Sequence, residues 1–491
     1  MTVGLGLALG GAAIALGGAH SGLPAVGRAL PWLAGTAAGT MTWPSADAAL
    51  ATSAGGTVHA LAEGGPGRPD QLLSWTTTAG GRPGTFSSVP VVAGSGTVAV
   101  TSAGTTATAA ATTAPAPAAE PTPPSGLPHS VTIVLVSPPG SKRDGTTATE
   151  LAAAVRGDVS RFWSSQTGGA VTFTVAKAMG WVKVSARCSD VWGLWSQAAT
   201  ASGFVPGLRK HLVVYVAPGG TCSPGLGTIG SGPEAGGYVY LRASKVALLA
   251  HELGHNLGLG HSNGLQCDGA ADAVWSGRWS RPCTVSDYRD WYDVMGVSWD
   301  RLGTLSTAQA YRLGVLPKAQ FTTLSGPGAT TLRPVGSKQG VVSLRISDPA
   351  GVTYIVEYRP AAGSESWLGS RALDWRGLRP GVLIRRTDPT RGTDLAQTLL
   401  LDATPSRPAG YADDFDEPLT EGHTLTLGSG RVALKVVTAS ATSATVAVAM
   451  DGVWPVSDLA RLGGRIPGAG STVDPAPVAV PFVGPAPTSP R

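Results

Sequence analysis

The sequence predicts a mixed α/β domain carrying a histidine-bearing helix, followed by an all-β, sandwich-like domain. Three observations predict it. Between residues 130 and 241, short runs of β-branched residues follow a segment of helical spacing or one another. Residues 245–257 then combine good helix formers with a glycine stop. From Phe321 to Met450 the pattern changes to short alternating runs separated by turn residues.

In chain order, residues 1–48 read as a targeting region. Met1–Gly27 carries no formal charge, and Val3–Ala19 resembles the apolar core of a signal peptide, though without basic residues ahead of it. Small-residue cleavage patterns occur near Ala19–Ser21 and at Ala46-Asp47-Ala48. No second run of about 20 apolar residues follows, so a secreted chain without a stable membrane span is expected. Residues 49–127 read as a low-complexity propeptide or linker. The part from Val91 to Pro128 is rich in Ala, Thr, Ser, Gly and Pro, and too poor in large apolar side chains to offset the entropy of ordering.

The first folded domain is expected over residues 128–318. Ser130–Val136 reads as a buried strand, and Thr147–Trp163 as a helix with Leu151, Val155, Val159 and Phe162 on one face. Gly168-Gly169 breaks that helix. Strands are expected at Ala170–Ala176, Leu212–Val216 and Tyr238–Leu241, with a long glycine-rich loop at Gly219–Gly237. Helices are expected at Lys245–Leu257 and Ser306–Leu313. The all-β domain, residues 319–450, has strands expected at Val341–Ile346, Thr353–Tyr358, Gly381–Arg385, Gln397–Leu401, His423–Leu427, Ala433–Val437 and Ala444–Met450. Residues 451–491 form a Pro-rich tail with no expected core.

The 491 residues include 68 Gly and 38 Pro, and only 14% are charged, which favours loops and β structure over long helices. The net charge of +5 is spread without a basic stripe, which argues against a nucleic-acid partner. The four cysteines, Cys188, Cys222, Cys267 and Cys283, form no C-x-x-C pair. In a secreted chain they suggest two disulfides, with nearest neighbours paired: Cys188–Cys222 and Cys267–Cys283.

The stretch Ala250-His251-Glu252-Leu253-Gly254-His255-Asn256-Leu257-Gly258-Leu259-Gly260-His261 carries the chemistry. Four residues on a helix advance about 400°, so His251 and His255 project from one face, one turn apart. That spacing suits two ligands of a tetrahedral zinc ion. Glu252 is rotated away from that line and suits a general base toward a water that the metal acidifies. Gly258 supplies the positive φ that ends the helix, so that His261 can return as third ligand. Three protein ligands leave one position open, the mark of a catalytic rather than a structural zinc.

His251 through His261 resembles the signature of the metzincin zinc peptidases, H-E-x-x-H-x-x-G-x-x-H. Tyr292-Asp293-Val294-Met295-Gly296 is similar to their methionine turn, with Met295 as an apolar floor under the metal. The pairing of GLGHSN with WYDVMG is most similar to gametolysin-like secreted peptidases and their bacterial relatives, over about residues 129–318. The resemblance implies a metzincin-type catalytic domain, one catalytic Zn2+, and an extracellular protein or peptide as substrate. It also implies that Tyr238–Leu241 is an edge strand that pairs with an extended substrate. Several family devices are missing. Val297 stands two residues after Met295, where astacin- and serralysin-like enzymes have tyrosine. Ser262 follows the third histidine, where adamalysin-like enzymes have aspartate. No cysteine precedes Cys188 to serve as a latency switch.

The acidic run Asp413-Asp414-Phe415-Asp416-Glu417 suits either a solvated loop or a structural Ca2+. His129, His211 and His423 read as isolated structural residues, Glu357 as an edge or paired carboxylate, and Trp163, Trp181, Trp192 and Trp195 as core or cleft lining. The expected function is that of a secreted zinc endopeptidase. The alternatives are a non-catalytic extracellular binding protein built on such a domain, and a zinc hydrolase of a non-peptide cell-wall component.

Overall fold

The computed structural model describes residues 123–455 apart from 188–189, 219–223, 297–301, 375, 391–396 and 407–413, together with the backbone of four strands between residues 48 and 90. The signal-like stretch, Cys188, Cys222, Val297, Asp413 and the tail beyond 455 lie outside the described residues.

The four early strands are β1 (Ala48–Thr52), β2 (Thr57–Ala62), β3 (Gln71–Thr77) and β4 (Pro83–Pro90). They pair as an antiparallel meander inside the stretch read as low-complexity. Glycines at 55–56, 64–67 and 80–84 punctuate short runs such as QLLSWTT, a strand signal that an averaged composition conceals.

The α/β region runs β5 (His129–Ser137), α1 (Ala148–Ala154), a π-helical turn at Val155–Val159, α2 (Ser160–Gln166), β6 (Phe173–Lys183), α3 (Val191–Ser202), β7 (Lys210–Val216), β8 (Gly225–Gly227), β9 (Ile229–Gly230), β10 (Gly237–Leu241) and α4 (Val246–Asn256). The sheet order is β6-β5-β7-β10-β8. All pairs are parallel except β8, which runs antiparallel to β10. β5 is covered on both faces, which is why Val131–Val136 reads as an almost unbroken apolar run. Thr147 and Glu150 close a capping box at the start of α1.

Helix α3 is not among the expected elements, because Trp192 and Trp195, read as core or cleft lining, do not by themselves mark a helix. Asp190 caps it by accepting from Gly193 N, and Gly203, with φ +68°, closes it. Trp192 and Trp195 are buried against Tyr238. The expected edge strand is also corrected. β10 is internal, with β7 on one side and β8 on the other. The outer strand β8 comes from the stretch read as a loop, where glycine leaves no side-chain alternation to read.

The remaining elements are β11 (Ser262–Cys267), β12 (Cys283–Ser286), α5 (Thr307–Arg312), β13 (Phe321–Leu324), β14 (Gly328–Leu332), β15 (Ser343–Ser347), β16 (Thr353–Arg359), β17 (Gly381–Thr387), β18 (Thr398–Leu401), β19 (Thr424–Thr426), β20 (Val432–Ser440) and β21 (Ser443–Met450). They form a seven-stranded sheet, β12-β11-β18-β17-β16-β15-β13, and a four-stranded sheet, β14-β21-β20-β19. Leu265, Tyr354, Val356 and Leu399 of the first share one core with Leu332, Leu434, Val446 and Val448 of the second. β11 begins at the residue after His261 and pairs in parallel with β18. The chain therefore leaves the histidine motif directly into the C-terminal sheet. A disulfide joins Cys267 to Cys283 across β11 and β12, and a loop of that size restricts the unfolded chain by about 3 kcal/mol. Among the described residues no helix is long and apolar enough to cross a membrane.

Candidate metal site

Helix α4 brings the motif together. Leu249, Ala250 and Leu253 pack into the α/β core and fix the helix against the sheet. The His251 and His255 rings then stand 4.7 Å apart on one face. Gly258 ends the helix at φ +93°, and a Cβ there would meet the Gly232 backbone at 2.9 Å. Both conformation and space therefore require glycine. The chain turns back, and the His261 ring lies 4.7 Å from that of His255. One nitrogen of each ring lies within 4.8 Å of the others, the only such gathering of three His, Cys, Asp or Glu side chains among the described residues. The described residues of the acidic run make no comparable cluster. Asp414 accepts from Ser406, and Asp416 pairs with Arg379 near the surface.

The tautomers follow from the neighbours. His251 Nδ1–H donates to Val294 O and His255 Nδ1–H to Leu259 O, each at 2.8 Å. Their Nε2 atoms are therefore unprotonated, the form that binds a metal. Burial lowers His251 to about 4. Burial, followed by the neighbouring His251, lowers His255 to about 3. Both remain neutral near pH 7. His255 Nε2 lies 3.1 Å from His261 Nε2. Two zinc–nitrogen bonds of about 2.05 Å at a tetrahedral angle separate their nitrogens by about 3.3 Å, so the donor set fits zinc in type, number and spacing.

Glu252 is buried, and its Oε2 has no hydrogen-bond partner. Burial pushes its carboxyl well above the usual range, which a nearby divalent cation would oppose. Strand β8 closes over it. A Cβ on Gly225 would come 2.4 Å from Glu252 Oε1, and one on Gly227 would come 2.6 Å from Glu252 O. The small strand is thus what admits a backbone so close to the carboxylate.

Met295 lies fully buried beneath the helix. A Cβ on Gly254 would sit 2.5 Å from Met295 Sδ, so this glycine, in a variable position of the motif, is what lets the sulfur approach. The asparagine after His255 was also not anticipated. Asn256 Oδ1 accepts from His211, and its amide donates to Thr228 O and Tyr238 O, tying α4 to the sheet. His129 and His211 are accordingly a bonded pair, 2.8 Å apart, rather than isolated residues. A tyrosine does face the site, but it comes from before the methionine turn. Tyr288, at φ +59°, packs with its ring centroid 4.1 Å from that of His261, the two planes tilted by 47°. Nothing in its local sequence marks that contact, because it depends on a strained turn. Tyr292 instead packs below, donating to Arg379 O.

No family model matches this chain, and no curated protein matches it. A solved structure of a chaperone-substrate complex matches with a TM-score of 0.20 at 14% identity, over 53% of this chain and 40% of that one. This chain thus spans under half the length of that neighbour, and likeness at that level carries no functional argument.

Proposed function

We propose that the protein is a secreted zinc endopeptidase of metzincin type, in which His251, His255 and His261 hold the metal and Glu252 is the general base. The observation that carries the reading is the convergence of three buried imidazoles beside a buried carboxylate whose Oε2 has no hydrogen-bond partner. Bound there, zinc supplies Lewis acidity that polarises a carbonyl and lowers the pKa of water to about 7. Glu252 takes the proton from the attacking water and delivers it to the leaving amine nitrogen. Gly225 and Gly227 keep β8 close to that carboxylate, and the outer side of β8 replaces β10 as the strand along which an extended peptide would align. The Cys267–Cys283 disulfide fits an oxidising, extracellular setting.

The test is hydrolysis of a broad peptide library by zinc-loaded protein. Cleavage that a chelator abolishes, zinc restores and Glu252→Gln eliminates supports the reading. Zinc-loaded protein that leaves every peptide intact sinks it. Release of fragments from a non-peptide wall polymer would then favour the cell-wall alternative, and zinc binding without any hydrolysis the binding-protein alternative.

A further inference from the structure

The seven-stranded C-terminal sheet has two unlike faces. Alternate residues of β16 and β17, namely Tyr354, Val356, Val382 and Ile384, face the four-stranded sheet and form the apolar core. The residues between them include Glu357, Arg359 and Arg385, all almost fully buried. Charges are rarely buried so deeply without partners; these pair with one another, with Glu365, and with Asp290 and the Tyr292 carbonyl at the entry to the methionine turn.

Arg385 grips Asp290 with two nitrogens, Nε to Oδ2 at 2.5 Å and Nη2 to Oδ1 at 3.2 Å. Its Nη1 donates to Glu357 Oε1 at 2.6 Å. Arg359 donates to the same Glu357 oxygen at 2.7 Å, to Glu365 at 2.5 Å and to the backbone oxygen of Tyr292 at 2.8 Å. Glu357 Oε2 accepts from Thr307 N, at the start of α5. Burial alone would raise the Glu357 carboxyl, but Arg359 and Arg385 hold it down at about 2. Asp293 completes the frame inside the turn, accepting from Met295 N and Ser306 N. From this frame one bond reaches the metal site, His251 Nδ1–H to Val294 O.

We infer that Arg385 and Arg359 are positioning residues for the metal site: the C-terminal sheet holds the methionine turn through Asp290 and Tyr292, and the turn orients His251. The inference rests on the proposed metal site, not on which bond the protein cleaves. A metal-binding domain cut off near residue 318 would lose both arginines and the β18 partner of β11.

The next residue along β17 supplies the control. Arg386 is equally buried and paired, but with Asp272 on the other face, away from the turn. Arg385→Met takes the guanidinium from buried Asp290 and Glu357, and Arg386→Met takes it from buried Asp272, so both are expected to lower stability to denaturant. Only Arg385→Met is expected to lower zinc affinity, by about 10–100-fold as for other groups that orient a metal ligand, and to change the visible spectrum of the cobalt-substituted protein. Arg385→Lys keeps the charge but loses the two-pronged grip, and is expected to fall between wild type and Arg385→Met. Zinc affinity would be read by competition with a chromophoric chelator on the full chain. Should Arg385→Met not fold, Arg385→Lys carries the same comparison. Unchanged zinc affinity and cobalt spectrum in a folded Arg385 variant would overturn the inference, as would equal losses in the Arg385 and Arg386 variants. A wild-type chain that binds zinc but cleaves no peptide would sink the peptidase reading and leave this one standing.

Discussion

Two buried histidine groups lie against helix α4, and they differ in one respect. Burial lowers His129 to about 3 and His211 to about 4, much as it lowers His255 and His251. In the first group the lone pair between the rings is used. His211 Nδ1–H donates to Asn256 Oδ1 at 2.9 Å, and His211 Nε2 accepts from His129 Nδ1–H. In the second, the Nδ1–H groups of His251 and His255 are spent on carbonyls, which leaves their Nε2 lone pairs on the side where the three rings meet. Lone pairs gathered on one side suit a cation held among the rings. Burial and a depressed pKa are thus common to a structural pair and to a candidate metal site. The direction of the remaining lone pairs separates them.

The comparison breaks first at single histidines. His261→Ala is expected to reduce zinc affinity by more than the roughly 100-fold ceiling typical of a residue one layer from a metal. His211→Gln is expected to cost about 1–3 kcal/mol of stability through its orphaned neighbours and to leave zinc affinity within about tenfold. Competition titration and urea unfolding of both variants check this, and a reversed ranking would refute the distinction. Next in size is Glu252→Gln. It is expected to retain zinc and to lose about 10²–10⁴-fold in peptide hydrolysis, the usual share of a general base, as read by the rate at matched zinc content.

Acid sharpens the picture. A histidine held neutral in the fold, with its pKa depressed below the unfolded value of about 6.5, binds its proton only on unfolding. His129 and His211 therefore contribute stability that is full above pH 6.5 and falls as pH drops toward 4 and 3. The slope is about 1.4 kcal/mol per pH unit for each such group. Urea unfolding of chelator-treated protein between pH 7.5 and 4.5 measures it, and a flat profile would contradict the neutral assignment. The smallest expected effect is Gly254→Ala, which drives a methyl into Met295 Sδ and is expected to cost about 1–3 kcal/mol of overpacking. Equal or greater stability by thermal unfolding would show that Met295 moves aside freely.

Much of the site was readable because it is local. His251, Glu252 and His255 depend only on helical spacing, and Gly258 only on the φ that ends the helix. Seven strands of the C-terminal half were readable within a few residues because turn residues bound their apolar runs, whereas β13 and β14 were not anticipated. What escaped was non-local or carried no side chain. β8 consists of two glycines around Leu226, so it left no alternation. β11 continues the histidine motif into a sheet where its parallel partner β18 begins 136 residues further on, and no spacing predicts that pairing. The sequence leaves Glu357 as an edge or paired carboxylate, because its partner Arg385 and the contact with Asp290 arise only when the sheet folds against the turn.

The central claim is that the second histidine group is an open metal site. X-ray absorption at the zinc edge of the purified protein tests it most directly, together with zinc content per chain. The account predicts one zinc with three nitrogen ligands at about 2.0–2.1 Å and one further light-atom ligand, lost in His261→Ala and kept in His211→Gln. Absence of zinc from protein purified in its presence, or a zinc signal unaffected by His261→Ala, would contradict it.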